Sequence, residues 1–191
     1  MAIAAVDLAH RGLLRNKGIA VTVMTNLGFH HTMRDNNIDV IITPVGDRSV
    51  LVALDEFDFV LGGEQSGHVI HRAHATTGDG LLAALQLVEY ITRSGVTLDQ
   101  AASIMQSYPQ ILVNIRTLNR VHDPVHDIAE QIEQAKAELG DNGRILVRSS
   151  GTEPLVRVMV EAADQVTAES IAMSLAQSLV EIHGGSIEGT H

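Results

Sequence analysis

The sequence predicts a mixed α/β domain followed by a small α+β domain, the second an antiparallel sheet with two helices on one face. Three observations carry this expectation. Apolar runs at residues 19–24, 38–43 and 57–61 alternate with helix-spaced segments, the pattern of an α/β layer with mainly parallel pairing. That pattern breaks around Gln106-Ser-Tyr-Pro109, which sets the expected domains at residues 1–106 and 107–191. Beyond the break the order becomes strand, helix, strand, strand, helix.

Taken in order, residues 1–14 have helical spacing through Ile3, Val6, Leu8, Leu13 and Leu14. Residues 19–24 read as a strand buried on both faces, and Asn26 as the cap of a helix reaching about residue 36. A second buried strand follows at residues 38–43, then a helix at 47–55 and a third strand at 57–61. Thr77-Gly-Asp-Gly80 opens an amphipathic helix carrying Leu81, Leu85, Val88 and Ile91, which Gly95 ends; Thr97 caps a shorter one. In the second part, residues 111–117 form a strand and Asp123-Pro124 pairs an N-cap with proline at the first helical position. That helix buries Ile128, Ile132, Ala135 and Leu139. Two strands then flank a polar turn, and a final helix carries Ala168, Ile171, Leu175, Leu179 and Ile182 on one face. Residues 186–191 show no pattern and are expected to fray.

Composition narrows the function. The chain has 191 residues, long enough for one large or two small cores. With 45% hydrophobic but only 3% aromatic residues, those cores are aliphatic. A net charge of −10 argues against nonspecific binding to nucleic acid or to an anionic membrane. The absence of cysteine excludes disulfides, thiolate catalysis and zinc–thiolate sites, and suits a reducing cytoplasm. No apolar run approaches a membrane span, and residues 1–6 lack the basic flank of a signal peptide.

Two loops carry the chemistry. In Arg144-Ile-Leu-Val-Arg-Ser-Ser-Gly-Thr-Glu-Pro-Leu-Val-Arg157, two apolar strands enclose a turn with Arg148 and Arg157 on its shoulders. Between them Ser150, Gly151 and Thr152 offer two hydroxyls and small-residue backbone amides. Such a turn makes an anion nest, and arginine forks bind phosphate oxygens in pairs. The second loop, Leu61-Gly-Gly-Glu-Gln-Ser-Gly-His68, sets Glu64, Gln65 and Ser66 between glycines at the carboxyl end of a strand, where α/β sheets bind ligands. A carboxylate there suits vicinal sugar hydroxyls, with the amide and hydroxyl as supplements. A solvated glycine-rich turn is the alternative reading of both loops. His68, His71 and His74 recur every third residue, a spacing that does not aim three imidazoles at one metal, and no metal site is expected. Val45-Gly-Asp-Arg48 is a softer signal: Asp47 caps the next helix, and Arg48 faces the Glu64 crevice if their strands are neighbours.

Together these motifs resemble the C-terminal half of the bacterial phosphoglucosamine mutases, within the α-D-phosphohexomutase superfamily. The resemblance spans residues 2 to about 183 and rests on Val45-Gly-Asp-Arg48, Gly63-Glu-Gln-Ser-Gly-His68, Thr76-Thr-Gly-Asp-Gly80, Tyr108-Pro-Gln110 and Arg148-Ser-Ser-Gly-Thr-Glu-Pro154. It implies domains three and four of four, from enzymes that interconvert glucosamine 6-phosphate and glucosamine 1-phosphate through glucosamine 1,6-bisphosphate. It further implies that Glu64, Gln65, Ser66 and Arg48 hold the sugar, with His68 and Asp47 as lesser cleft residues. Arg148, Ser150, Gly151, Thr152 and Arg157 would hold the phosphate that is not being transferred. The family's phosphorylated serine, in a Ser-His-Asn-Pro context, has no counterpart in this sequence, nor does its Asp-Gly-Asp-Gly-Asp-Arg magnesium loop. The expectation is therefore a recognition half that is inactive alone, whose partners are a phosphorylated amino sugar and the missing N-terminal domains, with Mg2+ held elsewhere. A stand-alone, non-catalytic sugar-phosphate-binding or regulatory module is the alternative. Ser149 also departs from the family's usual proline or lysine, and Ser49 from a usual tyrosine.

Overall fold

A computed structural model describes residues 1–190, and the chain divides into two compact units, Met1–Ser107 and Tyr108–His191. The first unit runs α1 (Ala2–His10), β1 (Gly18–Thr22), α2 (Leu27–Asp35), β2 (Asp39–Thr43), α3 (Asp47–Glu56), β3 (Leu61–Gly63), β4 (Val69–His71), α4 (Gly80–Ser94) and α5 (Leu98–Ala102). Its sheet has the order β2-β1-β3-β4, parallel except for β4. Every residue of β1 is buried, as a central parallel strand requires. One core joins the sheet to α1 and α2 through Ala5, Val6, Ile19, Val21, Phe29 and Met33. On the other face Ala20, Ile70 and Phe59 meet Val50, Ala53 and Leu54 of α3. Asn26 caps α2 by accepting from the Gly28 amide, as the sequence predicts.

Five expectations for this unit are corrected. Asp47 does not cap α3 but is its first residue, with Gly46 at the cap position and no side-chain cap bond. β2 is an edge strand rather than a fully buried one, and its Ile42 is 52% exposed. Residues 57–60 do not form the third strand. Asp58 turns at φ 51°, and the Phe59 ring fills the space beside Gly18, so their apolar pattern reflects packing rather than extension. The strand begins at Leu61 and returns as a hairpin to β4, which the sequence reading lacks. The first helix stops at His10, short of residue 14, because the chain turns at Gly12 with φ 67°. Helix α4 opens at Gly80 behind an Asp79 cap and ends at left-handed Gly95, as its expected bounds require, but none of its residues is buried and Leu81, Leu85 and Val88 point into solvent. Half-buried Leu87 and Tyr90 face α1 instead, where Arg93 bonds Asp7 at 2.6 Å.

The second unit runs β5 (Gln110–Arg116), α6 (Pro124–Asp127), α7 (Ala129–Leu139), β6 (Arg144–Ser149), β7 (Leu155–Glu161), α8 (Gln165–His183) and β8 (Ser186–Thr190). All pairings are antiparallel, in the order β6-β7-β5-β8. Helices α7 and α8 bury Ile132, Ala135, Leu139, Ala168, Ile171, Leu175 and Leu179 against Val113, Ile115, Val147, Val156, Val158 and Val160. The helix expected from Pro124 to Leu139 is broken at Ile128, whose φ of −124° leaves the helical region while its side chain stays fully buried. Residues 186–190, expected to fray, form an edge strand on β5; Ile187 packs against the core and Glu188 pairs with Arg116. The expectation for residue 191 lies outside the described residues.

Strand alternation puts the residues between those valines on the second face of this sheet. Register then sorts that face into rows across β5, β7 and β6. The first row is Gln110–Glu161–Arg144, the second Leu112–Met159–Leu146, the third Asn114–Arg157–Arg148. In the first row Glu161 is fully buried and accepts from Gln110 at 2.9 Å and from Arg144 Nε at 2.9 Å. This row is electrically closed. The third is not.

Candidate functional site

Arg148 and Arg157 stand directly opposite each other on β6 and β7. Like charges in that relation repel. Among the described residues no carboxylate pairs with either guanidinium, while the neighbouring Arg116 is matched by Glu188 and Arg144 by Glu161. Burial, and then the charge of Arg157, pulls the Arg148 guanidinium below its ordinary value. Both effects disfavour the charged form and would be relieved by an anion.

The turn above this pair is built to hold its shape. The Ser150 amide donates to the Leu155 carbonyl at 2.7 Å, and the Ser150 hydroxyl accepts from the amides of Thr152 and Glu153 at 3.4 and 3.3 Å. Two of the amides expected to face an anion are thus turned toward Ser150, whose hydroxyl hydrogen stays available. Gly151 and Thr152 are exposed at the tip. Ser149 donates to the Val121 carbonyl at 2.6 Å, so this departure from the family pattern tethers the turn to the β5–α6 connection. Sequence reasoning missed Arg120, which donates to the Thr152 carbonyl at 2.7 Å. It lies 32 residues from its partner, and only the fold brings them together.

In the first unit, the carboxyl ends of β2 and β3 and the β4–α4 connection bring three loops together. Residues 64–68 close the β3–β4 hairpin, with the Glu64 amide donating to the His68 carbonyl at 2.9 Å and Gly67 at φ 92°. Gly63 lies in the strand rather than freeing the loop; a Cβ there would stand 2.4 Å from the His68 carbonyl oxygen. Glu64 Oε1 accepts from the Gly46 amide at 2.8 Å, which fastens the Val45–Arg48 segment to the hairpin and leaves Oε2 for a ligand. Gln65, Ser66, Asp47 and Arg48 are exposed. The strands that Arg48 and Glu64 follow are not neighbours, since β1 lies between β2 and β3, and Arg48 lines a hollow with Ile42, Pro44 and Val52 instead. The His68 ring lies against Gly78, and its buried Nε2 has no hydrogen bond and sits 3.7 Å from Asp47 Oδ2. His71 belongs elsewhere. It is buried on β4, where burial first, and then the charges of His74 and the N-terminus, hold its pKa below the ordinary histidine value.

Gly78 is the seat of this clasp, since a Cβ on it would fall 2.5 Å from the His68 ring. Gly78→Ala is expected to expel the ring and loosen the Val45–Arg48 segment. Amide exchange at Gly46 should rise at least tenfold while Gly62 and Ile70 stay protected. Unchanged exchange at Gly46 would show that Glu64 alone holds the segment.

With this geometry in view, the chain matches two family models: residues 1–108 the phosphoglucomutase/phosphomannomutase alpha/beta/alpha domain III, and residues 112–178 the C-terminal domain of the same family. It is 50% identical over 184 residues to phosphoglucosamine mutase of Clavibacter michiganensis, covering 95% of this chain and 42% of that one. The phosphoglucosamine mutase of Frankia casuarinae is 51% identical over 177 residues, covering 92% and 39%. Thus the chain spans about 40% of the length of these curated relatives, in their C-terminal part. Among solved structures, Aspergillus fumigatus N-acetylphosphoglucosamine mutase in complex with GlcNAc-6P and magnesium superposes with a TM-score of 0.75 at 21% identity, over 97% of this chain and 43% of that one.

Proposed function

The chain belongs to the phosphoglucomutase/phosphomannomutase family, and on that premise we propose that it is the substrate-recognition half of a phosphoglucosamine mutase. The unpaired Arg148–Arg157 row carries this reading. A half-buried like-charge pair is a standing cost to the fold, and a dianionic phosphate removes it. In the first unit, Glu64 Oε2 accepts from a sugar hydroxyl, with Ser66 and Gln65 in the same loop. The substrates are glucosamine 6-phosphate and glucosamine 1-phosphate, and glucosamine 1,6-bisphosphate is the intermediate they share.

What these residues do is bind and orient. Arg148 and Arg157, with Ser150, Gly151 and Thr152, hold the phosphate that is not in transfer, while the Glu64 loop holds hydroxyls. Such remote binding energy serves the reacting end by fixing its position. Magnesium, which the family implies, does not fit the residues described: no group of three or more His, Asp or Glu side chains converges among them. The part of the relatives that this chain does not span would supply the phosphoryl chemistry, so binding without turnover is expected of this chain alone. No helix among the described residues is long and apolar enough to cross a membrane.

The test is a titration of isotope-labelled chain with glucosamine 1,6-bisphosphate and, separately, inorganic phosphate. Amides of residues 63–67 and 150–152 should both move with the bisphosphate, and only the latter with phosphate. Silence of residues 150–152 toward both ligands would contradict the reading, as would sustained mutase turnover by this chain alone.

A further inference from the structure

The row that carries the two arginines continues onto a third strand, where its member is Asn114, the register partner of Arg157. We propose that Asn114 is a further phosphate-binding residue, donating its side-chain amide to the anion held by Arg148 and Arg157. This rests on the reading of the arginine row as an anion site.

Comparison of rows within the same sheet carries the argument. Two register steps away, the same three strands place Gln110, Glu161 and Arg144 side by side. There the Gln110 amide donates to the central carboxylate, and so does Arg144. In the Asn114 row the arrangement repeats with amide and arginine on the outer strands, but the centre is an arginine. The first row has its acceptor built in; the third has donors only. An external acceptor completes it, and a phosphate presents enough oxygens to take an amide hydrogen and two guanidinium forks at once.

Asn114 itself is consistent with that role. It is half-buried, and among the described residues its side chain has no hydrogen-bond partner, so its amide is open to an external acceptor. Arg116, on the same face and strand, is already matched by Glu188, so it does not compete for the anion. A neutral amide also adds donors without a third positive charge. A carboxylate at this position would do the opposite and neutralise Arg157 from within, as Glu161 does for Arg144.

The experiment measures inorganic phosphate affinity of the full chain by calorimetry, alongside its thermal unfolding. Asn114→Leu is expected to weaken phosphate about tenfold, the scale of one hydrogen bond to a charged group, with little change in unfolding temperature. Asn114→Asp is expected to abolish phosphate binding and raise the unfolding temperature, because the new carboxylate pairs with Arg157. Wild-type affinity in both variants, in a protein whose Arg148→Met form no longer binds phosphate, would overturn the assignment of Asn114 and leave the arginine site standing. If the wild-type chain binds no phosphate at all, the arginine site fails and this inference with it.

Discussion

Replacing Arg148 with methionine is expected to weaken inorganic phosphate binding by at least tenfold without lowering the stability of the second unit. The two halves of this result come from one cause. Arg148 faces Arg157 across the β6–β7 pair with no carboxylate between them, so in the unliganded protein the two charges repel. Methionine keeps an apolar stem over the sheet and removes that repulsion. A charge-assisted hydrogen bond contributes about 1.5–3 kcal/mol, so its loss costs roughly ten- to a hundredfold in affinity. Calorimetry and thermal unfolding on the same preparation check both halves. A variant that melts lower yet binds phosphate normally would make Arg148 a structural residue instead.

The largest effect on stability is expected at Glu161. This side chain is wholly buried, and Glu161→Ala would remove the carboxylate that Arg144 and the Gln110 amide share. Removing one partner of a buried ion pair costs about 3–5 kcal/mol. Against a domain stability of about 5–15 kcal/mol, that is a large fraction of the total and lowers the unfolding midpoint of the second unit markedly. Urea unfolding followed at amides of residues 156–160 measures it, and Glu161→Gln should recover part of the loss by accepting from Arg144. A loss under about 1 kcal/mol would show the pair to be well solvated.

These two rows also show what the sequence could and could not disclose. Arg148 and Arg157 were visible as shoulders of a turn because they lie nine residues apart in an alternating pattern. Their direct opposition depends on register, which the hairpin sets and the sequence only suggests. Glu161 and Gln110 carried no signal, since 51 residues separate them. The same holds for Arg120 and Thr152. In the first unit the strands of β1 and β2 and the caps at Asn26 and Thr97 were legible, because they rest on local rules. The error at residues 57–60 came from reading apolar spacing as a strand, where two stacked phenylalanines and a left-handed Asp58 fill a corner. The error at residues 186–190 has the opposite origin: a strand with one apolar side chain is too weak to see alone, and β5 supplies its pairing. Leu81, Leu85 and Val88 were read as one face of an amphipathic helix from spacing that is sound, yet among the described residues they remain exposed.

The central claim is that the Arg148–Arg157 row binds phosphate, and arginine side-chain NMR addresses it most directly. In a titration of the wild-type chain with inorganic phosphate, the Nε–H signals of Arg148 and Arg157 are expected to shift together and saturate. Those of Arg116 and Arg144, already matched by Glu188 and Glu161, should stay still. A uniform, unsaturable drift of all arginine signals would contradict the account.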